Sequence, residues 1–335
     1  MVDTLTSQTE KIPEINTRLW SSLIRNLTPY TPGEQPKHDN LCKLNTNENP
    51  FPPSPKVAAA IALALADQAD ALKRYPAPES DELRAVMAQA YQVQPNQVFV
   101  GNGSDEVLAH VFACFFVKDR AVLTPDIGYS FYPVYADTFH VELTTIPLKA
   151  DFSIDVDDYR RPCSGIIIAN PNAPTGILLS LAEIEKLLQE HRNAVIVIDE
   201  AYIDFGGDTA KELTRKYDNV LVVQTYSKSR SLAGLRIGYA IGNKELIKAM
   251  NDVKYSYNSY TMNEPSIVLG TAVLEDEEYF QETRNKIIDT REWFQIEMRK
   301  IGFSFADSKA NFIFATHESV PAKEIFEAAK KAKIY

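Results

Sequence analysis

The sequence predicts an α/β protein: a large domain around a mostly parallel, helix-covered sheet, followed by a smaller α+β C-terminal domain. Short apolar runs recur between helical patterns, and these runs are continuously apolar, without polar alternation. Such runs are typical of strands buried on both faces. After about residue 243 the pattern changes to long, charged helices. A chain of 335 residues is long enough for one large and one smaller domain.

Each predicted element follows from its local pattern. Six apolar runs are predicted as strands, over 98–100, 121–123, 165–169, 194–198, 220–223 and 237–241. The large domain also has predicted helices over 55–66, 80–91, 105–116 and 180–191. Ser80 is the predicted N-cap of the second helix, and Ser180 with Glu183 forms a capping box that starts the fourth. The C-terminal region has a predicted helix over 275–300, alternating strands at 303–305 and 311–314, and a last helix over 321–332.

Composition shifts divide the chain into three parts. Residues 28–55 are rich in Pro and Asn, which indicates an extended arm with turns. We assign the N-terminal arm to 1–50, on the side of the small domain. The large domain is assigned to 51–245 and the small domain to 246–335.

The bulk composition narrows the classes of function. A net charge of −10 argues against a nucleic-acid partner, which calls for a basic footprint. Cys42, Cys114 and Cys163 have no paired spacing, so we expect a reducing compartment and no disulfide framework. The polar N-terminus has no signal-peptide pattern, and no apolar run approaches the ~18 residues of a membrane-spanning helix. We therefore expect a cytoplasmic protein without a membrane partner.

Two loops at predicted strand ends carry candidate binding groups. Residues 101–106 (GNGSDE) connect a strand to a helix whose free N–H groups, with the Ser104 hydroxyl, suit a phosphate. Taken alone, a plain strand-to-helix turn is the commoner explanation of this segment. Residues 170–176 (NPNAPTG) contain two prolines and a glycine, which stiffen a loop that presents polar groups. An ordinary rigid turn explains this second loop equally well.

Asp199 directly follows the apolar run at 194–198. A carboxylate in that position is costly unless it has a cationic or hydrogen-bonding partner, and a protonated pyridine nitrogen is such a partner. Tyr202, three residues later, is placed to donate a hydrogen bond to a phenolate oxygen. The alternatives are an acidic strand end that faces solvent, or a helix cap.

Lys228 lies just past the run at 220–223, near the same predicted sheet edge as Asp199. A lysine in that position can lose its proton more readily and form a Schiff base. Arg236 offers a planar fork for a phosphate, and Ser227 offers a further donor. A lone lysine is normally a solvated surface charge. Here the two loops, the Asp199 segment and the Lys228 segment occur in order along one chain, and together they favour a binding site over a surface charge.

In their order along the chain, the motifs GNGSDE, PNAPTG, DEAY and SKSRSLAGLR resemble those of the fold-type I pyridoxal-phosphate aminotransferases, the aspartate aminotransferase superfamily. The segments NLTPY (26–30), LNTNENP (44–50), RYP (74–76) and DEAYIDF (199–205) are similar to the histidinol-phosphate branch of that superfamily. The resemblance extends from about residue 26 to the C-terminus. It implies pyridoxal 5′-phosphate as cofactor, a homodimer and no metal site.

The resemblance also implies a role for each matching residue. Lys228 would carry the cofactor as a Schiff base and then move the proton. Asp199 would pair with the pyridine N–H, and Tyr202 would bond the phenolate oxygen. The implied phosphate ligands are Ser104, Asp105 through backbone amides, Ser227, Arg236, and Tyr75 from the neighbouring subunit.

Three further residues complete the site that the resemblance implies. Tyr129 would stack on the cofactor ring, and Tyr30 and Asn47 would line the substrate side. For Tyr129, Tyr75 and Tyr30, simple core packing is the alternative.

Two departures from the superfamily pattern affect these expectations. The superfamily usually has Asn where this chain has Ala173, so Tyr202 carries the phenolate contact alone unless Asn172 takes it over. Losing one stabiliser of the deprotonated form would raise the pKa of the cofactor imine. The superfamily also places substrate-binding arginines in a strand beyond the last helix, and this sequence ends at Tyr335. We therefore expect a truncated small domain without those arginines.

The implied reaction is a ping-pong transfer of the amino group of glutamate to imidazole acetol phosphate, which gives L-histidinol phosphate in histidine biosynthesis. An aromatic or aspartate-type aminotransferase shares the cofactor motifs. A decarboxylase that acts on a phosphorylated amino acid, such as threonine phosphate, shares them too. The third alternative is an effector domain of a transcription regulator, but the acidic charge and the short arm leave no room for a basic DNA-binding domain.

Overall fold

The computed structural model describes residue 21 and residues 27–36, 40–67, 72–116 and 119–335. Residues 1–20, 22–26 and 37–39 of the predicted arm lie outside the described residues, and with them Asn26 of the NLTPY segment. The fold-class prediction is confirmed, since the chain forms a mixed α/β structure around a seven-stranded, mostly parallel sheet. Among the described residues, no helix combines the length and the apolar character needed to cross a bilayer.

The large sheet contains the six predicted strands and one more. Its strands are β1 (Val98–Asn102), β2 (Val122–Pro125), β3 (Leu143–Ile146), β4 (Gly165–Ala169), β5 (Val195–Asp199), β6 (Val220–Thr225) and β7 (Ile237–Gly242). They lie in the order β1-β7-β6-β5-β4-β2-β3, and only β7 runs antiparallel to its neighbours. Strand β3 was not predicted, because two threonines interrupt its apolar pattern and it lies at the sheet edge.

Both faces of the sheet are buried, as the continuous apolar runs predicted. Along β5, Ile196 and Ile198 belong to one apolar cluster, and Val197 belongs to another on the opposite face. Successive side chains of a strand point to opposite faces, so a strand covered on both faces must be apolar throughout. Full burial of each such side chain contributes roughly 1.5–3 kcal/mol.

The helices cover these faces. They are α1 (Pro55–Asp67), α2 (Asp81–Tyr91), α3 (Ser104–Phe115), α4 (Tyr132–Phe139), α5 (Leu181–Glu190), α6 (Lys244–Tyr257), α7 (Glu264–Leu274), α8 (Glu277–Lys300) and α9 (Ala322–Lys331). The capping box at the start of α5 is confirmed, because the Ser180 hydroxyl accepts from the Glu183 N–H while the Glu183 carboxylate accepts from the Ser180 N–H. Ser80 does precede α2, but its backbone is left-handed (φ 52°) and its side chain makes no capping hydrogen bond. The expectation of a side-chain cap there was therefore wrong.

The C-terminal region contains a small antiparallel pair, β8 (Phe303–Phe305) and β9 (Ala315–His317). The prediction of a strand over 311–314 was wrong, because these residues form a loop that turns towards the arm. The Asn311 side chain donates a hydrogen bond to the Asn47 carbonyl at 3.1 Å. The arm also meets the end of the chain, since the Leu44 N–H donates to the Tyr335 carbonyl at 2.6 Å.

Helices from both sides of the predicted domain boundary pack together. Helix α6 packs against α3 and β1, and α7 packs against α1 and α2. The division of the chain at residue 245 stays a prediction.

Candidate cofactor site

The register of the sheet brings the ends of the sequence motifs to one edge. Asp199, the last residue of β5, lies beside Ala169 of β4 and Val223 of β6. Strand β7 runs in the opposite direction, so its first residues lie at the edge where the other strands end. Arg236, just before β7, therefore lies beside the carboxyl ends of β1 and β6. This edge is where ligands bind in open α/β sheets.

A cavity of about 840 Å³ opens at this edge. It is lined by most of the site residues predicted from the sequence: Tyr30, Asn47, Ser104, Asp105, Tyr129, Asp199, Tyr202, Ser227, Lys228 and Arg236. Lys228 and Asp199 thus face one space. Placement on opposite sides of the molecule would have excluded a common ligand.

Asp199 is buried in the floor of the cavity, with only 5% of its surface exposed. The Tyr132 hydroxyl donates to its Oδ2 at 2.9 Å, whereas Oδ1 has no hydrogen-bond partner among the described residues. Burial raises the pKa of Asp199 to about 6, against the lowering effect of the Tyr132 hydrogen bond. A buried carboxylate oxygen without a donor fits a ligand that brings its own N–H or positive charge.

Lys228 follows β6 in a half-buried position. Burial lowers its pKa, which makes the neutral, nucleophilic amine more accessible, while the charges of Glu48 and Asp105 oppose this effect. The Lys228 Nζ donates to the Thr46 carbonyl and lies 5.7 Å from the centroid of the Tyr202 ring. A backbone oxygen of the arm therefore holds the Lys228 amine.

The start of α3 lines one end of the cavity and is suited to an anion. Gly103 precedes the helix with φ 86° and no side-chain cap, so the first N–H groups of the helix are free of partners among the described residues. A Cβ on Gly103 would lie 2.4 Å from Arg236 Nη2, and one on Gly238 would lie 2.2 Å from the Ser104 nitrogen. Both glycines are thus needed for the close approach of β7 to this turn. Arg236 Nη2 donates to Asp105 Oδ2 at 2.9 Å, which holds the guanidinium at the helix start.

Tyr202 is oriented as a donor towards the cavity. Asn47 Nδ2 donates to the Tyr202 hydroxyl oxygen at 3.0 Å, which leaves the hydroxyl proton free to point at a ligand. The Phe312 ring packs edge-on against Tyr202 at 5.0 Å. Burial raises the pKa of Tyr202 to about 12, so the hydroxyl keeps its proton at neutral pH.

Two predicted site residues do not line the cavity. Asn172 is buried, and its Nδ2 donates to the Ile127 carbonyl at 2.9 Å, whereas its neighbour Ala173 does line the cavity. Tyr75 is 79% exposed and stacks on Tyr260, with ring centroids 4.4 Å apart. The role of Asn172 at the phenolate oxygen and that of Tyr75 across a subunit interface stay predictions.

Two residues of the site were missed in the sequence. Tyr132 binds Asp199 from α4, across the sheet edge, and nothing in the local sequence indicates that long-range contact. Asn49 Nδ2 donates to the Lys228 carbonyl at 2.9 Å and to the Ser229 carbonyl at 3.2 Å. Its place inside the LNTNENP segment was a usable signal, because that segment already pointed to the site.

Comparison with protein families and characterised proteins agrees with the geometry. The sequence profile of the family "Aminotransferase class I and II" matches residues 39–335. The chain is 58% identical over 330 residues to histidinol-phosphate aminotransferase 2 of Psychrobacter arcticus, covering 96% of this chain and 88% of that protein. It is 52% identical over 317 residues to histidinol-phosphate aminotransferase of Acinetobacter baumannii, covering 95% and 88%.

Solved structures share the fold. Histidinol-phosphate aminotransferase from Sinorhizobium meliloti, in complex with pyridoxal-5′-phosphate, superposes with a TM-score of 0.82 at 22% identity, covering 99% of this chain and 90% of that chain. A mutant aspartate aminotransferase from Thermus thermophilus gives a TM-score of 0.79 at 20% identity, with coverages of 95% and 90%. At these identities the likeness establishes the fold alone.

Proposed function

The chain belongs to the class I and II aminotransferase family, and from this premise we propose that it uses pyridoxal 5′-phosphate to exchange an amino group between glutamate and imidazole acetol phosphate. The products are 2-oxoglutarate and L-histidinol phosphate, and the reaction serves histidine biosynthesis. The observation that carries this proposal is one cavity lined by both Lys228 and Asp199, whose Oδ1 lacks a partner among the described residues. The relatives at 58% and 52% identity supply the substrate class.

The cavity fits the cofactor at three points. The unpartnered Asp199 Oδ1 suits a protonated pyridine nitrogen, whose charge also offsets the cost of burying the carboxylate. The α3 start, with Ser104, Ser227 and Arg236, suits the phosphate. The Lys228 amine suits the aldehyde carbon, because burial lowers its pKa. When bound, the cofactor supplies an electron sink for the carbon that exchanges its amino group.

The residues of the chain then have separate tasks. Lys228 would attach the cofactor as the nucleophile and would also serve as the base that moves the proton of the substrate carbon. Asp199 would keep the ring nitrogen protonated, and Tyr132 holds Asp199 in place at 2.9 Å. Tyr202 would donate to the phenolate oxygen, and Tyr129 would pack against the ring. The Thr46 carbonyl accepts from the free Lys228 amine and so orients it within the cavity.

The substrate is the finer part of this proposal, and a direct assay tests it. The purified protein, loaded with pyridoxal 5′-phosphate, is given glutamate with either imidazole acetol phosphate or phenylpyruvate. We expect kcat/KM to be highest with imidazole acetol phosphate. A higher value with phenylpyruvate would assign an aromatic aminotransferase, and release of carbon dioxide from threonine phosphate would assign a decarboxylase.

The oligomeric state, the location in the cell and the domain boundaries belong to the same proposal. We propose a homodimer in which Tyr75, exposed in the single chain, reaches the cofactor phosphate of the neighbouring subunit. We also propose the cytoplasm as the location, and the division into arm, large domain and small domain at residues 50 and 245. Sedimentation of the wild type and of Tyr75→Phe tests the dimer, since both should sediment as dimers while the variant binds the cofactor more weakly.

A further inference from the structure

A second cavity, of about 240 Å³, lies outside the cofactor site and shares no lining residue with it. The loop after β5, strand β6, the segment after Lys228 and helix α8 all contribute to its walls. Its charged lining residues are Lys211, Arg230, Arg284 and Asp204. Three cations in one small cavity stand out in a chain whose net charge is −10. A concave site lined with cations concentrates anions.

Two of these cations lack an acidic partner among the described residues. In the part of the chain that the structure describes, no ion pair joins Lys211 or Arg284 to a carboxylate. The Lys211 ammonium lies 4.8 Å from the centroid of the Tyr91 ring. Arg284 Nη2 donates to Asn285 Oδ1 at 3.0 Å. Both side chains therefore keep donors for a ligand.

Arg230 is the most buried of the three cations. Its side chain is 9% exposed, and its guanidinium carbon lies 3.5 Å from the centroid of the Phe280 ring. The nearest carboxylate oxygen, from the exposed Glu277, is 3.5 Å away. That separation exceeds the roughly 2.7–2.9 Å of a charge-assisted hydrogen bond. Arg230 thus has no short ion pair among the described residues, which leaves its guanidinium able to bind a further anionic partner.

The carboxylates near the cavity offset these charges only in part. Asp204 accepts a hydrogen bond from the Ser229 hydroxyl. Burial lowers the pKa of Arg230, but the charges of neighbouring groups, Asp204 among them, raise it overall. Glu200, next to the cavity residues Thr209 and Gln224, accepts from both side chains at 2.6 Å. Burial raises the pKa of Glu200 to about 7, so its negative charge is incomplete at neutral pH.

We propose that this second cavity binds a small phosphate-bearing anion, either inorganic phosphate or a short phosphate ester, through Lys211, Arg230 and Arg284. The cavity volume lies below the roughly 300 Å³ at which pockets for drug-sized ligands begin, which matches a small anion. Guanidinium and ammonium groups are the side chains that bind phosphate oxygens best. Arg230 is two residues from Lys228, and the Ser229 hydroxyl binds Asp204. An anion bound in the second cavity would therefore contact the same segment that carries Lys228. This inference does not depend on the proposed substrate.

Calorimetric titration of the cofactor-saturated protein tests the site, with inorganic phosphate and glycerol 3-phosphate as probes. We expect the double variant Lys211→Gln/Arg284→Gln to bind phosphate at the second cavity at least tenfold more weakly than the wild type does. Its cofactor absorbance should not change, because neither residue lines the cofactor cavity. The matched control is Lys248→Gln/Lys286→Gln, which removes two exposed positive charges elsewhere and should bind as the wild type does.

The two probes separate the sources of the ligand. Equal binding of both probes would show that a free phosphate suffices, and binding of the ester alone would assign the site to phosphate esters. Unchanged phosphate binding by the Lys211→Gln/Arg284→Gln variant would overturn the inference, as would a wild-type protein that binds neither probe outside the cofactor cavity. Circular dichroism of each variant shows that it is folded.

Discussion

The two walls of the cofactor cavity are built in different ways. On the sheet side, Asp199 and Arg236 are placed by strand register at the ends of buried strands. On the arm side, Thr46 and Asn47 have left-handed backbones (φ 65° and 53°) and no strand partner. That turn is held by side-chain hydrogen bonds, from Lys43 to the Thr46 hydroxyl at 2.9 Å and from Asn311 to the Asn47 carbonyl at 3.1 Å.

This difference separates two kinds of function. The groups that we propose to bind the cofactor need one fixed geometry, and a register shared by several strands provides it. The arm, which we propose to line the substrate side, rests on a few partly exposed hydrogen bonds, each of which contributes roughly 0.5–1.5 kcal/mol. Changes on the sheet side should therefore remove catalysis, and changes on the arm side should alter substrate affinity.

The largest effect is expected for Lys228→Ala. This change removes both the nucleophile and the base, and general-base steps alone contribute roughly 10²–10⁴-fold. We expect kcat/KM with glutamate to fall by at least about 10⁴-fold, as measured by 2-oxoglutarate formation. Lys248→Ala, at an exposed lysine, is the control and should keep full activity. Substantial turnover by Lys228→Ala would contradict the assignment of catalysis to this lysine.

Asp199→Asn should be the next most damaging change for activity. The amide cannot keep the ring nitrogen charged, and the loss of one such electrostatic contact costs about 10²–10³-fold in kcat. Glu200→Gln is the matched control, because Glu200 is equally buried but does not line the cavity. If both variants lost kcat equally, burial of the strand end rather than contact with the cofactor would explain the effect.

The same Asp199→Asn variant should stabilise the cofactor-free protein. Burial raises the pKa of Asp199 from 3.8 to about 6, so the folded protein holds this proton more tightly than the unfolded chain does. The resulting cost is absent below the unfolded pKa, grows as pH rises through the folded pKa, and reaches about 3 kcal/mol above it. Urea unfolding at pH 8 should show the variant to be more stable, and the difference should shrink towards pH 4. A gain that did not vary with pH would contradict this origin.

Asn49→Ala tests the contact between the two walls. Asn49 binds the carbonyls of Lys228 and Ser229, so its loss should loosen the lysine segment and destabilise the protein by about 1–2 kcal/mol. We expect kcat to fall about tenfold, with the cofactor still bound. Asn49→Asp keeps the shape but not the donors, and should behave like the alanine variant. A normal kcat in both variants would show that the arm does not position Lys228.

Lys43→Met should have the smallest effect. Lys43 forms an ion pair with Glu48 and holds the Thr46 turn, and both contacts are partly exposed. Surface pairs contribute about 0–1 kcal/mol, so stability should barely change. We expect KM for the keto acid to rise a few-fold with an unchanged kcat, as measured by steady-state kinetics. An altered kcat with an unchanged KM would contradict the proposal that the arm side of the cavity sets substrate affinity and the sheet side sets catalysis.

The fold and the sheet side of the site were largely predictable from the sequence. Buried parallel strands have a strong apolar pattern; Asp199 is the last residue of one such strand, and Lys228 lies three residues past the end of another. The arm was harder to predict, because the left-handed turn at Thr46 and Asn47 depends on long-range hydrogen bonds. Tyr132 was missed for the same reason, since its contact with Asp199 spans 67 residues. The antiparallel direction of β7 could not be predicted either, because its apolar pattern is the same as that of the parallel strands.

The covalent attachment to Lys228 is tested most directly by borohydride reduction of the cofactor-loaded protein, followed by proteolysis and mass spectrometry. The account predicts a single phosphopyridoxyl group, carried by the Nζ of Lys228. A group found on another lysine, or a protein that binds the cofactor without any covalent attachment, would contradict it.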